Sequence, residues 1–257
     1  MSEKPVTEKT LVNRWIVVTG AAKGIGAAIV SLCAQQGANV VINYKKSRSE
    51  AEELARTISE KQSVIAIPCY FDVTCTSEIE AAITPIIEQY GAISGWVNNA
   101  GINLPGLLLS QTDDMILQQL QVNIEGPMKC SRFILKHMMA QRVGSIVNIG
   151  SIASHYVSRG QTVYAATKGA LSTFTRAVAQ EYGRKSIRIN CIEPGPVETE
   201  MFATSKSLAG DELKQRVPLA RFGATHEIAE LAVFLLSDKS SYMTGSIIAV
   251  DGGYSLG

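Results

Sequence analysis

The sequence predicts an α/β fold in which helices cover both faces of a doubly wound, seven-stranded, mostly parallel sheet. Short β-branched runs alternate along the chain with longer amphipathic or alanine-rich segments, which is the rhythm of repeated βαβ units. Most of these runs are apolar at successive positions, as strands buried on both faces are. The chain of 257 residues shows no linker, repeat or low-complexity tract, so we expect a single domain over residues 1–257.

Each strand and helix of this fold is assigned to a segment of the chain. The predicted strands are Trp15–Thr19, Asn39–Asn43, Val64–Cys69, Ile93–Val97, Ser145–Ile149, Ile187–Ile192 and Ser246–Val250. The helical segments between them include Gly26–Gln36, Ser49–Glu60, Ser77–Gln89 and Thr225–Leu236. In such a sheet ligands bind beyond the carboxyl ends of the strands, so the residues that follow each strand are the candidates for a site.

Composition argues against several classes of protein. The formal net charge is +1 and 46% of residues are hydrophobic, which disfavours a dedicated nucleic-acid binder and a disordered chain. No apolar run approaches the roughly 18 residues that span a bilayer, so we expect no membrane association. Three histidines and five cysteines are scattered without the spacing of metal ligands, and we expect no metal site. Scattered cysteines in odd number predict reduced thiols and a cytoplasmic location.

A glycine-rich turn follows the first predicted strand. It spans residues 20–26 and contains Gly20, Lys23, Gly24, Ile25 and Gly26, and a helix begins within it. Glycines permit a tight turn and let the backbone approach a pyrophosphate, while the helix N-terminus offers N–H groups to phosphate oxygens. The turn therefore indicates a dinucleotide site in a Rossmann-type fold, although a tight turn without a ligand would use the same residues.

Three polar side chains are candidates for proton transfer. Tyr164 and Lys168 are four residues apart in a predicted helix, so their side chains share one face. Free tyrosine has a pKa of about 10, and a neighbouring ammonium group lowers that pKa because it stabilises the phenolate. Ser151 follows the fifth strand, where its hydroxyl can meet a carbonyl oxygen. Each residue alone has a plainer interpretation: a solvated helix face for the pair, and a helix cap for Ser151.

Taken in order, these motifs resemble the short-chain dehydrogenase/reductase family. Four more motifs match at the ends of later strands: Asp72-Val73, Asn98-Asn99-Ala100-Gly101, Pro194-Gly195 with Thr199, and Val250-Asp251-Gly252-Gly253. The resemblance covers residues 11–257, nearly the whole chain.

The resemblance implies a role for each candidate catalytic residue. Ser151 would polarise a substrate carbonyl and Tyr164 would donate the proton. Lys168 would lower the pKa of Tyr164 and hold the nicotinamide ribose. Asn123 matches the fourth member of the family's set, which helps to hold a water that links the lysine to solvent. Alone, Asn123 would be an ordinary polar helix residue.

The resemblance also implies the cofactor NADP(H). The family position for an acid that accepts the ribose hydroxyls of NAD falls on Tyr44, and Lys45 and Lys23 are placed to meet a 2′-phosphate. The two lysines could instead be solvated surface residues. The remaining implied cofactor contacts are Gly20, Gly24, Ile25, Gly26, Asp72, Val73, Asn99, Ala100, Gly101, Tyr164, Lys168, Pro194, Gly195, Val197 and Thr199.

Within the family, the chain is most similar to bacterial reductases of 3-oxoacyl thioesters carried on acyl carrier protein. This implies substrate contacts from Ser151, Gln161 and Tyr164, and a carrier-docking role for Arg142. The second docking arginine of those reductases falls on Gln180, and the nearby cations Lys129, Arg132 and Lys136 could be a solvated helix face. The alternative substrates are acetoacetyl-CoA, a sugar or a natural-product ketone. A sensor that binds NADP(H) without turnover is disfavoured, because it has no need of a proton donor.

Three expectations concern organisation rather than chemistry. Residues 1–12 are expected to be an N-terminal extension, and residues 200–216 to form a lid over the substrate. By resemblance the protein is expected to be a homotetramer assembled through two long helices, Met115–Met139 and Ala170–Tyr182, and the last strand.

Overall fold

The computed structural model describes residues 9–256, apart from the side chains of residues 204–209. In this part of the chain seven strands form one sheet in the order β3-β2-β1-β4-β5-β6-β7, and each neighbouring pair is parallel. The strands are β1 Trp15–Val18, β2 Asn39–Tyr44, β3 Ala66–Tyr70, β4 Ile93–Asn98, β5 Gly144–Ile149, β6 Ile187–Pro194 and β7 Ile247–Val250. The predicted seven-stranded, doubly wound sheet is confirmed.

Helices cover both faces of the sheet, as predicted. The α-helices are α1 Gly24–Gln35, α2 Arg48–Lys61, α3 Thr76–Tyr90, α4 Asp113–Leu120, α5 Gly126–Gln141, α6 Thr162–Tyr182, α7 Glu200–Gln215 and α8 Thr225–Leu236. Apolar side chains of α1, α2 and α8 form one core layer with the sheet, and those of α3, α5 and α6 form the other. Successive residues of β1, Trp15 and Ile16, enter opposite layers. Within the described residues, no helix is long and apolar enough to cross a bilayer.

The sheet order places a crevice beside the central strands. From β1 the chain winds outward through β2 and β3, and from β4 it winds in the other direction to β7. The winding therefore reverses between β1 and β4, and beyond the carboxyl ends of these strands the connecting segments separate. The residues that follow β1, β4 and β5 meet at this edge of the sheet.

Two predictions about organisation need correction. The N-terminal extension was expected to reach residue 12, but Leu11 is fully buried in the core and its N–H donates to the Gln36 carbonyl at 3.0 Å. Residues 1–8 lie outside the described residues. The segment Met115–Met139 was expected to be one helix, but a π-helical turn, Gln121–Glu125, separates α4 from α5. Such a turn re-aims one side chain, here Asn123, toward the site.

A buried polar network holds the middle of the sheet to the helices below it. The Asn98 amide accepts a hydrogen bond from Trp96 Nε1 at 2.9 Å and donates to Ser131 Oγ at 3.0 Å and to Asn148 Oδ1 at 2.8 Å. Asn148 in turn donates to Thr175 Oγ1 at 2.8 Å. These contacts join β4 and β5 to α5 and α6. Helix α6 carries the candidate catalytic residues Tyr164 and Lys168.

We predict that Asn98→Ala lowers the free energy of unfolding by about 3 kcal/mol, because several buried polar groups lose their partner at once. Urea unfolding measures the change. As a control, Ser31→Ala removes a hydroxyl that bonds only within its own helix, to the Ala27 carbonyl, and should cost less than about 0.5 kcal/mol. Equal losses for the two variants would contradict the importance of the network.

Candidate active site

The glycine-rich turn between β1 and α1 needs glycine at three positions. Gly20 and Gly24 have φ angles of +60° and +57°, in the left-handed region that favours glycine. At Gly26 a Cβ would lie 2.6 Å from Asn99 Nδ2 and 2.7 Å from the Gly20 carbonyl oxygen. The turn thus packs closely against the end of β4, and α1 begins within it. This geometry fits the backbone cradle that a dinucleotide pyrophosphate requires.

Two side chains that had no predicted role hold this turn in place. Thr19 Oγ1 accepts hydrogen bonds from the backbone N–H groups of Asn99, at 2.9 Å, and Ala100, at 3.0 Å. Asn43 Oδ1 accepts from the Gly20 N–H at 3.0 Å. Both are buried polar residues at the carboxyl end of an otherwise apolar strand, and this position is the signal in the sequence that could have identified them.

The structure gives Asn99 a bracing function. Its side-chain amide donates to the carbonyl oxygens of Thr19, at 2.9 Å, and Gly20, at 3.0 Å. The amide therefore ties the end of β4 to the glycine-rich turn. A contact between Asn99 and the cofactor ribose stays a prediction.

Ser151, Tyr164 and Lys168 come together at the carboxyl end of β5. The Ser151 side chain hydrogen-bonds the Tyr164 side chain, and Ser151 Oγ also accepts from the Ala153 N–H at 3.1 Å. Lys168 Nζ lies 5.6 Å from the centroid of the Tyr164 ring and donates to the Ile149 carbonyl at 2.8 Å. Two hydroxyl groups and an ammonium group thus share one small space, as the sequence predicts.

Burial shifts the pKa values of two of these groups in opposite directions. It raises the pKa of Tyr164, and the hydrogen bond with Ser151 acts against this shift. It lowers the pKa of Lys168 to about 8. At neutral pH the phenol therefore carries its proton and the amine is mostly charged, which is the state that a proton donor needs.

Asn123 lies next to Lys168, in the π-helical turn. Its Oδ1 accepts from the Ile102 N–H and its Nδ2 donates to the Ile102 carbonyl, both at 2.8 Å, and Nδ2 also lies 3.1 Å from Thr167 Oγ1. A Cβ on Gly101 would lie 3.4 Å from Asn123 Oδ1 and 3.5 Å from Lys168 Nζ. Glycine at this position keeps a small polar space open between the amide and the amine. The predicted water-holding role of Asn123 would use this space.

The two predicted phosphate contacts, Lys23 and Lys45, are exposed lysines paired with carboxylates. Lys23 Nζ lies 2.9 Å from Glu50 Oε1 and 3.5 Å from Glu200 Oε1, and the hydrogen bond with Lys23 is the largest cause that lowers the pKa of Glu50 to about 2. Lys45 forms an ion pair with Asp72. Exposed ion pairs are weak in water, so a doubly charged phosphate can compete for both amines.

The segment after β6 lies against the glycine-rich turn. Thr199 caps α7, since its Oγ1 accepts from the Phe202 N–H at 3.2 Å, and a Cβ on Gly24 would lie 3.6 Å from its Cγ2. At Gly195 a Cβ would lie 2.6 Å from Asp251 Cα, so Gly195 packs against the segment that follows β7. The predicted motifs at the ends of β1, β6 and β7 are therefore neighbours in the structure.

Two residues predicted to contact the cofactor have side chains that are buried in the core and do not face the crevice. Val73 is 7% exposed and packs against Gly126, and Val197 is 5% exposed and pairs with Gly223 in an isolated bridge. Their backbone atoms remain the groups that could contact a cofactor. Gln161 lies at the start of α6, directly before Thr162, near Tyr164.

The segment predicted to form the lid, residues 200–216, folds mostly as helix α7. Its described side chains include half-exposed Met201 and Phe202, whose ring packs edge-on against Phe222 at 5.0 Å. The side chains of residues 204–209 lie outside the described residues. After the helix, the Arg216 guanidinium contacts the rings of Tyr156 and Tyr254, with its central carbon 5.4 and 5.2 Å from their centroids.

The fold and the glycine-rich turn define a Rossmann-type oxidoreductase, and comparison with known proteins identifies the family. A family model described as enoyl-(acyl carrier protein) reductase matches residues 20–255. The chain belongs to the short-chain dehydrogenase/reductase family, which confirms the resemblance drawn from the motifs.

Several relatives are similar over nearly their whole length. The 3-oxoacyl-(acyl-carrier-protein) reductase FabG of Chlamydia trachomatis is 37% identical over 243 residues, covering 95% of this chain and 98% of that protein. A human 3-oxoacyl-(acyl-carrier-protein) reductase is 38% identical over 243 residues, covering 93% and 97%. Among solved structures, a gluconate 5-dehydrogenase from Burkholderia cenocepacia in complex with NADP and tartrate has a TM-score of 0.92 at 32% identity, covering 97% of this chain and 98% of that one.

The lowered pKa of Lys168 predicts a pH dependence of stability. The unfolded chain holds this proton up to an ordinary lysine pKa of 10.5, and the folded chain releases it near pH 8. Between these values the unfolded state binds more protons, so the contribution of Lys168 to stability rises with pH. The free energy of unfolding of wild type, relative to Lys168→Met, should increase by about 3 kcal/mol from pH 8 to pH 10.5.

Urea unfolding of both proteins at several pH values in this range measures the difference. Titrating groups that do not contact Lys168 cancel because the two proteins share them, and Tyr164→Phe in both backgrounds removes the neighbouring phenol from the comparison. A difference that stays constant with pH would show that Lys168 keeps its ordinary pKa.

Proposed function

We propose that this protein uses NADPH to reduce the ketone of a 3-oxoacyl thioester to the 3-hydroxyacyl form. The observation that carries the proposal is the cluster of Ser151, Tyr164 and Lys168 at the carboxyl edge of the sheet, beside the glycine-rich turn. Two converging hydroxyl groups suit one carbonyl oxygen, and the buried amine favours the phenolate that remains after proton donation.

The proposed mechanism assigns one task to each side chain. The substrate carbonyl oxygen accepts hydrogen bonds from the hydroxyls of Ser151 and Tyr164, which polarise the C=O bond. NADPH supplies the hydride that the carbonyl carbon receives. Tyr164 gives its proton to the oxygen, and the resulting phenolate is stabilised by the ammonium of Lys168. Asn123 keeps the space beside Lys168 polar, so that a water there can return a proton from solvent.

The cofactor assignment rests on residues of this chain and on a relative. The left-handed glycines and the N-terminus of α1 fit a pyrophosphate, and exposed Lys23 and Lys45 offer two cations for a 2′-phosphate. Tyr44 stands where an acid would favour NAD, and its ring is buried against Tyr70. The similar gluconate 5-dehydrogenase binds NADP in its solved structure.

The thioester is supported by the relatives named as 3-oxoacyl-(acyl-carrier-protein) reductases. An acidic carrier would need exposed cations, and Arg132, Lys136 and Arg142 are exposed on or at the end of α5. Lys129, in contrast, forms intramolecular contacts: its amine donates to the Thr74 carbonyl and forms an ion pair with Glu125. We propose that a carrier docks near Arg142, with Lys129 excluded from the docking cations.

A second candidate substrate is a small non-thioester ketone or the corresponding alcohol. The observation that favours it is the structural similarity to a gluconate 5-dehydrogenase, with a TM-score of 0.92, and to a levodione reductase, with a TM-score of 0.90 at 31% identity. The same Ser151, Tyr164 and Lys168 cluster would serve that reaction.

Other features of the protein are part of the proposal. We propose one domain, α7 as the substrate lid, a cytoplasmic location and assembly into a homotetramer. Exposed apolar side chains on α4 and α5 support assembly, because large apolar groups tend to be covered in oligomers. These side chains are Leu117, Leu120, Met128 and Met139.

The proposed function is tested by following NADPH and NADH oxidation with a panel of substrates. The panel contains acetoacetyl thioesters of CoA and of acyl carrier protein, crotonyl-CoA, and ketones derived from sugar acids. We expect NADPH with an acetoacetyl thioester to be turned over fastest. Tyr164→Phe should lower kcat by about 100-fold or more, because the proton donor is lost, while binding NADPH as wild type does.

The other outcomes exclude particular parts of the proposal. Turnover of non-thioester ketones alone would contradict the proposal that the substrate is a thioester. Turnover of crotonyl-CoA alone would show reduction of a C=C bond and contradict the proposal of carbonyl reduction. NADPH binding without turnover of any substrate would favour a sensor over an enzyme.

The cofactor assignment gives a further prediction. Lys23→Ala/Lys45→Ala should raise KM for NADPH by about tenfold or more and change KM for NADH by less than about twofold, because only NADPH carries the 2′-phosphate. Lys61→Ala, at the far end of α2, removes an exposed cation away from the turn and serves as the control. Equal effects on both cofactors would contradict the assignment.

A further inference from the structure

Glu193 is a buried carboxyl group that the proposed mechanism does not use. It lies near the end of β6, directly before Pro194, and only 3% of the residue is exposed. A buried carboxylate is costly unless hydrogen bonds replace the water that it loses. The contacts of Glu193 should therefore show what its burial achieves.

Three side chains contact this carboxylate. The hydroxyls of Ser154 and Ser172 both donate to Oε1 at 2.6 Å, and His155 Nδ1 lies 3.2 Å from Oε2. The two short distances are those of charge-assisted hydrogen bonds between a hydroxyl and a carboxylate. One carboxylate oxygen thus joins two serines that lie far apart in the sequence.

The two serines belong to the two segments that carry the candidate catalytic groups. Ser154 ends the 3-10 turn Ile152–Ser154, which Ser151 caps, and its N–H donates to the Ser151 carbonyl at 3.0 Å. Ser172 lies one turn after Lys168 on α6, and its Oγ is 3.2 Å from the Lys168 carbonyl oxygen. Glu193 therefore connects the segment of Ser151 to the helix of Tyr164 and Lys168.

The backbone before Ser151 also packs against this side chain. A Cβ on Gly150 would lie 3.1 Å from Glu193 Cγ and 2.8 Å from Cys191 Sγ. The amine of Lys168 points elsewhere, to the Ile149 carbonyl. Glu193 consequently acts on the geometry of the site and does not contact the reacting groups.

Two other ionisable groups, Cys191 and His155, lie close to Glu193. Burial raises the pKa of the Cys191 thiol to about 11, so this neighbour is uncharged at neutral pH. His155 is half exposed and extends the cluster to the surface.

We propose that Glu193 is a positioning residue that sets the distance between the Ser151 hydroxyl and the Tyr164 hydroxyl by holding Ser154 and Ser172 on one carboxylate oxygen. The proposal rests on the proposed function, since it takes Ser151 and Tyr164 as the groups that meet the carbonyl oxygen. It assigns a function to a residue for which the motifs of the sequence offer none.

The first test compares kcat with KM in variants of this cluster. Glu193→Gln keeps a neutral oxygen acceptor and should lower kcat about tenfold, with KM for NADPH changed less than about twofold. Ser154→Ala/Ser172→Ala should lower kcat by a similar factor. Glu193→Gln added to this double variant should lower kcat by less than a further twofold, because Glu193 acts through the two serines.

The control is Ser145→Ala. Ser145 is a buried serine at the opposite end of β5, and its hydroxyl donates to the Leu235 carbonyl at 2.8 Å. This variant should lose stability in urea unfolding and keep the wild-type kcat. Cluster variants that also lose stability but keep the wild-type kcat would overturn the proposal and give Glu193 a purely structural role.

A second measurement does not depend on turnover. In protein labelled with [13Cζ]tyrosine, the Tyr164 resonance, assigned with Tyr164→Phe, reports the hydrogen bond of its hydroxyl. It should move in Glu193→Gln and in the serine double variant, and stay in place in Ser145→Ala. An unmoved resonance would overturn the proposal whatever the substrate is. A wild-type protein that reduces no carbonyl would overturn the proposed function, and the resonance would then decide on the positioning role alone.

Discussion

The ammonium group of Lys168 is buried under the end of β5, and the organisation of the site follows from that constraint. With 5% of the residue exposed, the amine has lost most of its water and instead contacts the Ile149 carbonyl, at 2.8 Å, and the face of the Tyr164 ring. Gly101 leaves room beside the amine, and the π-helical turn brings Asn123 to the same space. A less buried amine would affect the phenol less, because water would screen its charge.

The parallel sheet explains why groups distant in the sequence reach this amine. Reversal of winding between β1 and β4 opens a crevice at the carboxyl edge, and the glycine-rich turn, Asn99 and Ser151 each follow a strand that ends at this edge. Buried polar side chains then fix the strand ends to one another. Thr19 and Asn43 hold the glycine-rich turn. Glu193 joins the turn that follows Ser151 to the helix that carries Tyr164. The reacting groups are therefore carried by the short turn after β5, which holds Ser151, and by helix α6, which holds Tyr164 and Lys168.

Much of this could be predicted from the sequence, because strand periodicity and motifs at strand ends are local signals. The strands, their parallel orientation and the shared helix face of Tyr164 and Lys168 were available from such signals, and the resemblance to the family joined Ser151 to this pair. The position of Thr19 and Asn43 at the ends of apolar strands marked them as candidates, but their bracing contacts, and those of Glu193, could not be predicted because they join residues far apart in the chain. Nor did the apolar spacing of Met115–Met139 reveal the π-helical turn, which adds one residue to a helical repeat without changing the composition. Leu11 was assigned to an extension because the N-terminal segment is mostly polar and shows no periodicity.

The central claim is that this site passes a hydride from NADPH to a carbonyl carbon while Tyr164 supplies the proton. The most direct measurement is mass spectrometry of the product formed from acetoacetyl-CoA and NADPH deuterated at the transferable C4 position. We expect one deuterium at the C3 carbinol carbon of the 3-hydroxybutyryl product and a primary isotope effect in single-turnover reduction. A 3-hydroxybutyryl product without deuterium at C3 would contradict this mechanism.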